Sequence, residues 1–256
     1  MNGFLKEYFS LENKVAIVTG GNTGIGAAYS QALAEAGADL VIAAYDKNYE
    51  EIKNIIEKTG RRVEFITGDL TNPKCRHEIV ETCMEKFGKI DILVNNAGTI
   101  RRAPLLEYED EDWYAVMDIN LNAVYHLGRE VAKVMAVQGS GKIINIASML
   151  SFQGGKFVPP YTASKHGVVG LTRAFANELA DRNIQVNAIA PGYIKTANTE
   201  PIRKDEQRNR EILGRIPAGR WGEPSDLMGA VVFLAGKASD YINGHVLTVD
   251  GAWLSR

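Results

Sequence analysis

Val15-Ala-Ile-Val-Thr-Gly-Gly-Asn-Thr-Gly-Ile-Gly26 is the stretch that decides the fold. Its opening apolar residues have the length and character of a buried parallel strand. The chain then enters a glycine turn with the spacing G-x-x-x-G-x-G at Gly20, Gly24 and Gly26. Apolar residues at helical spacing follow through Ala36, and Gly37 supplies a C-terminal stop. Strand, glycine turn and helix form the context a dinucleotide site requires. Glycine lets the backbone approach a pyrophosphate, and the helix start offers unpaired N–H groups and a positive dipole end. The spacing is not the commoner G-x-G-x-x-G, and a glycine turn alone is a weak signal. A second apolar run at Asp39–Ala44 completes a βαβ unit and strengthens it.

Working outward, β-type runs recur at Val15–Thr19, Leu40–Ala44, Val63–Thr67, Ile90–Asn95, Lys142–Ala147, Ile184–Ala190 and His245–Asp250. Helical stretches separate nearly all of them. The expectation is an α/β fold: a single Rossmann domain over residues 1–256, with a doubly wound, seven-stranded parallel sheet and helices on both faces. No repeat, low-complexity tract or linker interrupts it. The long irregular region from Pro191 to about Pro224 has a charged middle, Arg203-Lys-Asp-Glu-Gln-Arg-Asn-Arg-Glu211. It reads either as a solvated surface helix or as a substrate lid over about 193–224.

Bulk properties narrow the function. A net charge of −2 gives no footprint for nucleic acid or an anionic membrane. No run reaches the ~18 apolar residues of a membrane span. The start, Met1-Asn-Gly-Phe-Leu-Lys-Glu-Tyr, carries charges where a signal peptide needs an apolar core. A cytoplasmic location is expected. Cys75 and Cys83 share one expected helix and read as reduced thiols. No Cys/His cluster has metal-ligand spacing, so no metal is expected.

In a doubly wound sheet, ligands sit beyond the carboxyl ends of the strands. Those ends carry the glycine turn, Asp69-Leu70, Asn95-Asn-Ala-Gly98, Ser148 and Pro191-Gly192. Asp69 could accept a proton from an adenine amino group. Ser148 precedes Tyr161 by thirteen residues, and Lys165 follows four later, on one face of a helix with Tyr161. An ammonium beside a phenol favours the phenolate, so Lys165 is expected to lower the Tyr161 pKa. A tuned phenol can pass a proton to or from a carbonyl, and Ser148 can hold the same oxygen.

Together these motifs, with Met117-Asp-Ile-Asn120, resemble the short-chain dehydrogenase/reductase family along nearly the whole chain. The resemblance implies Tyr161 as acid/base and Ser148 as the group orienting the carbonyl. It implies Lys165 on the nicotinamide ribose, and Asn120 in a proton relay, although Asn120 also reads as a helix kink. It implies a cofactor site at Gly20, Asn22, Thr23, Gly24, Ile25, Gly26, Asp69, Leu70, Asn96, Ala97, Gly98, Tyr161, Lys165, Pro191, Gly192, Ile194 and Thr196. Family members that prefer NAD carry an acidic residue ending strand two. Here that position falls on Ala44, with Asp46 two residues on and no phosphate-binding arginine beside it, so NAD is expected, with NADP possible. Tetramers are usual in the family, and a homotetramer is expected.

Arg101-Arg102 stand at the mouth of the expected site. They could bind a substrate carboxylate bidentately, or be solvated loop residues. Gln153 adds a polar group near Ser148. The segments 143–155, 194–198 and 216–228 resemble a subgroup of the family that works at C5 of keto sugar acids. The implied reaction reduces 2,5-diketo-3-deoxygluconate to 2-keto-3-deoxygluconate in uronate breakdown, with Arg101, Arg102, Ser148, Gln153 and Tyr161 at the substrate. The alternatives are a gluconate 5-dehydrogenase, an NADPH-dependent 3-oxoacyl-thioester reductase and a nucleotide-sensing scaffold.

Overall fold

The apolar runs become seven parallel strands in the order β3-β2-β1-β4-β5-β6-β7. The computed structural model describes residues 3–256. The strands are β1 (Val15–Thr19), β2 (Asp39–Ala44), β3 (Val63–Thr67), β4 (Ile92–Asn95), β5 (Gly141–Ile146), β6 (Ile184–Pro191) and β7 (Val246–Val249). All five residues of β1 are buried. A central strand covered on both faces has no polar side, which is why its sequence is continuously apolar rather than alternating.

After an N-terminal α1 (Gly3–Phe9), one face of the sheet is covered by α2 (Gly24–Glu35), α3 (Glu50–Lys58) and α10 (Met228–Ala235), which enclose Tyr29, Leu33, Ile56, Val231 and Leu234. The other is covered by α4 (Pro73–Phe87), α6 (Ala123–Gln138) and α7 (Pro159–Leu179), around Ile79, Leu127, Val131 and Ala176. Cys75 and Cys83 are free and buried on α4. Chain progression runs outward from β1 to β2 and β3 on one side, and to β4 on the other. That reversal opens the crevice beyond the carboxyl ends of β1 and β4.

One boundary shifts. Strand β4 begins at Ile92 rather than Ile90, because the Gln138 side chain takes both backbone groups of Ile90, at 2.9 and 2.8 Å. The region after β6 is helical, in line with one of its two readings. It forms α8 (Glu200–Lys204) and α9 (Glu206–Leu213), with the Asp205 side chain accepting from Arg208 N at 3.0 Å to cap α9. Between α5 (Asp110–Met117) and α6, residues Asp118–Asn122 form a π-helical segment that contains Asn120. No helix among the described residues is long and apolar enough to cross a membrane.

Candidate active site

A cavity of about 1020 Å³ lies over the carboxyl ends of β1, β4, β5 and β6. Its floor at β1 is the glycine turn. Gly20 and Gly24 have φ of 61° and 55°, a left-handed backbone that side chains rarely adopt. A Cβ on Gly26 would stand 1.9 Å from the Gly20 carbonyl oxygen, so the helix start seats directly on the turn. The Asn96 side chain donates to the carbonyls of Thr19 and Gly20 at 2.9 and 3.1 Å. The Thr19 hydroxyl accepts from Asn96 N and Ala97 N, each at 3.0 Å. These bonds tie the turn to the end of β4. The first amides of α2 have no intrahelical partner, and Gly24, Ile25 and Gly26 line the cavity. This bare, positively polarised backbone suits a pyrophosphate.

Ser148 follows β5 and is buried. Its hydroxyl accepts from Leu150 N at 3.1 Å, while its own N–H donates to Ser151 Oγ at 3.2 Å. Ser151 Oγ in turn donates to the Lys165 carbonyl at 2.7 Å, pinning this turn to α7. Lys165 Nζ donates to the Ile146 carbonyl at 2.6 Å and lies 5.6 Å from the centre of the Tyr161 ring. Ser148, Tyr161 and Lys165 all line the cavity.

The electrostatics correct one expectation. Burial pushes the Tyr161 phenol above its ordinary value, and the Ser148 hydroxyl and the Arg102 charge only partly draw it back. Burial also brings the Lys165 amine down to about 8. Lys165 was expected to lower the phenol, but its Nζ is directed to a backbone carbonyl. Desolvation therefore dominates both groups.

Asn120 sits behind this group, fully buried and not on the cavity wall. Its Oδ1 accepts from Thr99 N at 2.8 Å, and its Nδ2 donates to Thr99 O at 2.9 Å and Ser164 Oγ at 3.3 Å. It thus joins the segment after β4 to α7.

Most of the expected cofactor residues share the cavity: Gly20, Thr23, Gly24, Ile25, Gly26, Asn96, Ala97, Gly98, Tyr161, Lys165, Pro191, Gly192, Ile194 and Thr196. Asn22, Asp46, Asp69 and Leu70 do not line it. The Asp46 carboxylate is engaged by Asn22 Nδ2 and Asn48 N, both at 3.0 Å. Asp69 accepts from the amide and hydroxyl of Thr71, each at 2.8 Å. Leu70 is buried. Among the expected substrate residues, Arg102 and Gln153 line the cavity, and Arg102 Nη2 donates to Asn198 O at 3.3 Å. Arg101 is a correction: it turns to Asp112, with Nε 3.4 Å from Oδ1, and leaves the wall.

Among the wall residues that the sequence did not point to are Arg208, Glu211, Arg215 and Trp253. Arg208 and Glu211 stand three apart on α9, and Arg215 lies in the turn that follows it. The run of charge around them masked that pattern.

The chain is similar to known proteins along its length. Residues 20–253 match the sequence family of enoyl-(acyl carrier protein) reductase. The chain is 53% identical over 256 residues to the 2-dehydro-3-deoxy-D-gluconate 5-dehydrogenase of Bacillus subtilis (strain 168), covering 99% of this chain and 100% of that one. A crystal structure of a candidate 2-deoxy-D-gluconate 3-dehydrogenase from Agrobacterium tumefaciens, with bound NADP, is 50% identical. It superposes with a TM-score of 0.90, covering 97% of this chain and 99% of that one. The gluconate 5-dehydrogenase of Burkholderia cenocepacia J2315, in complex with NADP and tartrate, is 37% identical with a TM-score of 0.93, covering 98% and 99%.

Proposed function

The chain belongs to the short-chain dehydrogenase/reductase family, and from that premise we propose that it reduces the C5 ketone of an acidic keto sugar. The reaction that fits is the interconversion of 2,5-diketo-3-deoxygluconate and 2-keto-3-deoxygluconate, the activity named for the relative in Bacillus subtilis. The observation that carries the proposal is one cavity holding the glycine cradle, the Ser148–Tyr161–Lys165 group and Arg102 together.

The cradle fits a nicotinamide dinucleotide, since a Cβ at Gly26 would fill the space the turn needs. When bound, that group supplies the hydride to the carbonyl carbon. The amides of Gly24, Ile25 and Gly26 would hold its pyrophosphate, and Lys165 its ribose. Asn96 to Gly98, with Pro191, Gly192, Ile194 and Thr196, would line the remainder. No arginine or lysine stands at Asn22, Ala44 or Tyr45 to receive a 2′-phosphate. NAD is therefore the favoured form, with NADP as the second.

Ser148 orients the substrate oxygen by a hydrogen bond. Tyr161 donates its proton to that oxygen as negative charge develops there. The raised phenol suits this role, because it keeps the proton on Tyr161 at neutral pH. Lys165 is largely charged at pH 7 and steadies the phenolate left behind. Asn120 holds the segment after β4 against α7, and we assign it to the relay that returns the proton from solvent. The same reading makes the enzyme a cytoplasmic homotetramer of uronate degradation, with residues 193–224 as its substrate lid. The position of α9 on the cavity wall supports the lid.

The test compares oxidation of NADH and NADPH with a panel of 5-keto sugar acids and an acetoacetyl thioester. Turnover should be largest with a 5-keto sugar acid and NADH. Tyr161→Phe should abolish turnover while cofactor affinity stays within a few fold. Preference for the thioester, or near-normal rates in the variant, would overturn the assignment.

A further inference from the structure

Beyond the expected site residues, part of the cavity wall comes from α9 and the turn that follows it. Arg208, Ile212 and Arg215 fall at i, i+4 and i+7, and all three line the cavity with Glu211. Ile212 is buried among Met149, Ile216, Trp221 and Trp253, which anchors this face of the helix. Trp221 Nε1 also donates to Asn209 Oδ1 at 2.7 Å, fixing the helix from its flank. The Arg215 guanidinium lies 4.1 Å over the Trp253 ring. Among the described residues, neither Arg215 nor Arg102 has a carboxylate partner, whereas Arg208 Nη1 holds Glu211 Oε2 at 3.0 Å. The charges of Arg208, Arg215 and Arg102 all draw down the Tyr193 phenol against the effect of its burial. Three guanidiniums are thus within electrostatic reach of one hydroxyl on the wall, with one carboxylate among them.

We infer that Arg208 and Arg215 receive the substrate carboxylate, and that Glu211 is an internal anion that the substrate displaces from Arg208. Planar guanidiniums match a carboxylate in geometry as well as charge. Stacking on Trp253 holds Arg215 in place without neutralising it, so its charge stays available. An uncharged ketone cannot replace Glu211 on Arg208 and loses this anchor. Acid selectivity then arises on α9, and Arg102 approaches the same region from the segment after β4. This inference rests on the acidic keto sugar reading above.

The experiment measures KM and kcat for a 5-keto hexonate and for its primary amide, in wild type and in Arg208→Gln, Arg215→Gln and Glu211→Gln. Removing a charged hydrogen bond from the carboxylate should raise KM for the acid by ~10- to 100-fold in either arginine variant. KM for the amide should rise far less than KM for the acid, and circular dichroism with thermal melting shows that each variant is folded. Glu211→Gln should lower KM for the acid, because the competing anion is gone. If wild type treats acid and amide alike, the acidic-substrate reading itself is wrong. If wild type discriminates but the arginine variants still do so equally well, only this inference fails. A higher acid KM in Glu211→Gln overturns the displacement of Glu211.

Discussion

Replacing Lys165 with methionine should stabilise the fold while removing activity. The amine is buried at 5% exposure and brought from an ordinary 10.5 down to about 8. At about 1.4 kcal/mol per pH unit, keeping that ammonium charged inside the protein costs ~3 kcal/mol at pH 7. Methionine has similar length and no charge. It forfeits the bond from Nζ to the Ile146 carbonyl, which offsets ~1 kcal/mol. The expected net gain at pH 7 is ~2 kcal/mol. The sign with pH follows from linkage. Below about 8 the lysine is charged in both folded and unfolded chains, so the penalty is full and constant. Between about 8 and 10.5 the unfolded chain holds the proton more often, so wild-type stability rises with pH. The advantage of Lys165→Met should therefore shrink across that window. Urea denaturation without cofactor, at pH 7 and pH 10 and at fixed protein concentration, measures both values. A variant less stable than wild type at pH 7, or an equal difference at both pH values, would refute the account of a charge held buried for chemistry.

Two further outcomes follow from geometry. Gly26→Ala places a Cβ 1.9 Å from the Gly20 carbonyl oxygen and 2.5 Å from Asn96 Nδ2, so backbone must move by more than an ångström. The variant should lose ~1–3 kcal/mol in denaturation and bind NADH more weakly by fluorescence titration, and unchanged affinity would count against the cradle. Asn120→Ala leaves Thr99 without its two side-chain partners, a loss of ~1–3 kcal/mol, and should lower kcat more than it raises KM. Unchanged stability in that variant would show that the segment after β4 is held by other contacts.

The strands were legible because each is a local run with its own boundaries. Ile90 was assigned to a strand because only the distant Gln138 reveals that its backbone is already bonded. The charged segment 203–211 read as a surface helix, and α9 is one, but its composition did not show that Arg208 and Glu211 face the cavity. Asp46, Asp69 and Arg101 were sound candidates by position, yet each side chain is engaged by neighbours, namely Asn22, Thr71 and Asp112. Sequence order brings such residues near a site without saying which way they turn.

Taken alone, the amino-acid sequence determined the parallel α/β sheet, the glycine turn and the Ser148–Tyr161–Lys165 group. These rest on short-range periodicity and on backbone freedom at particular glycines, which are local properties. Only the tertiary structure decided that burial raises the Tyr161 phenol, that Arg102 and not Arg101 faces the cavity, and that α9 and the turn after it contribute Arg208 and Arg215 to its wall. Burial and the meeting of distant side chains depend on how the helices close over the sheet, and no local pattern contains that.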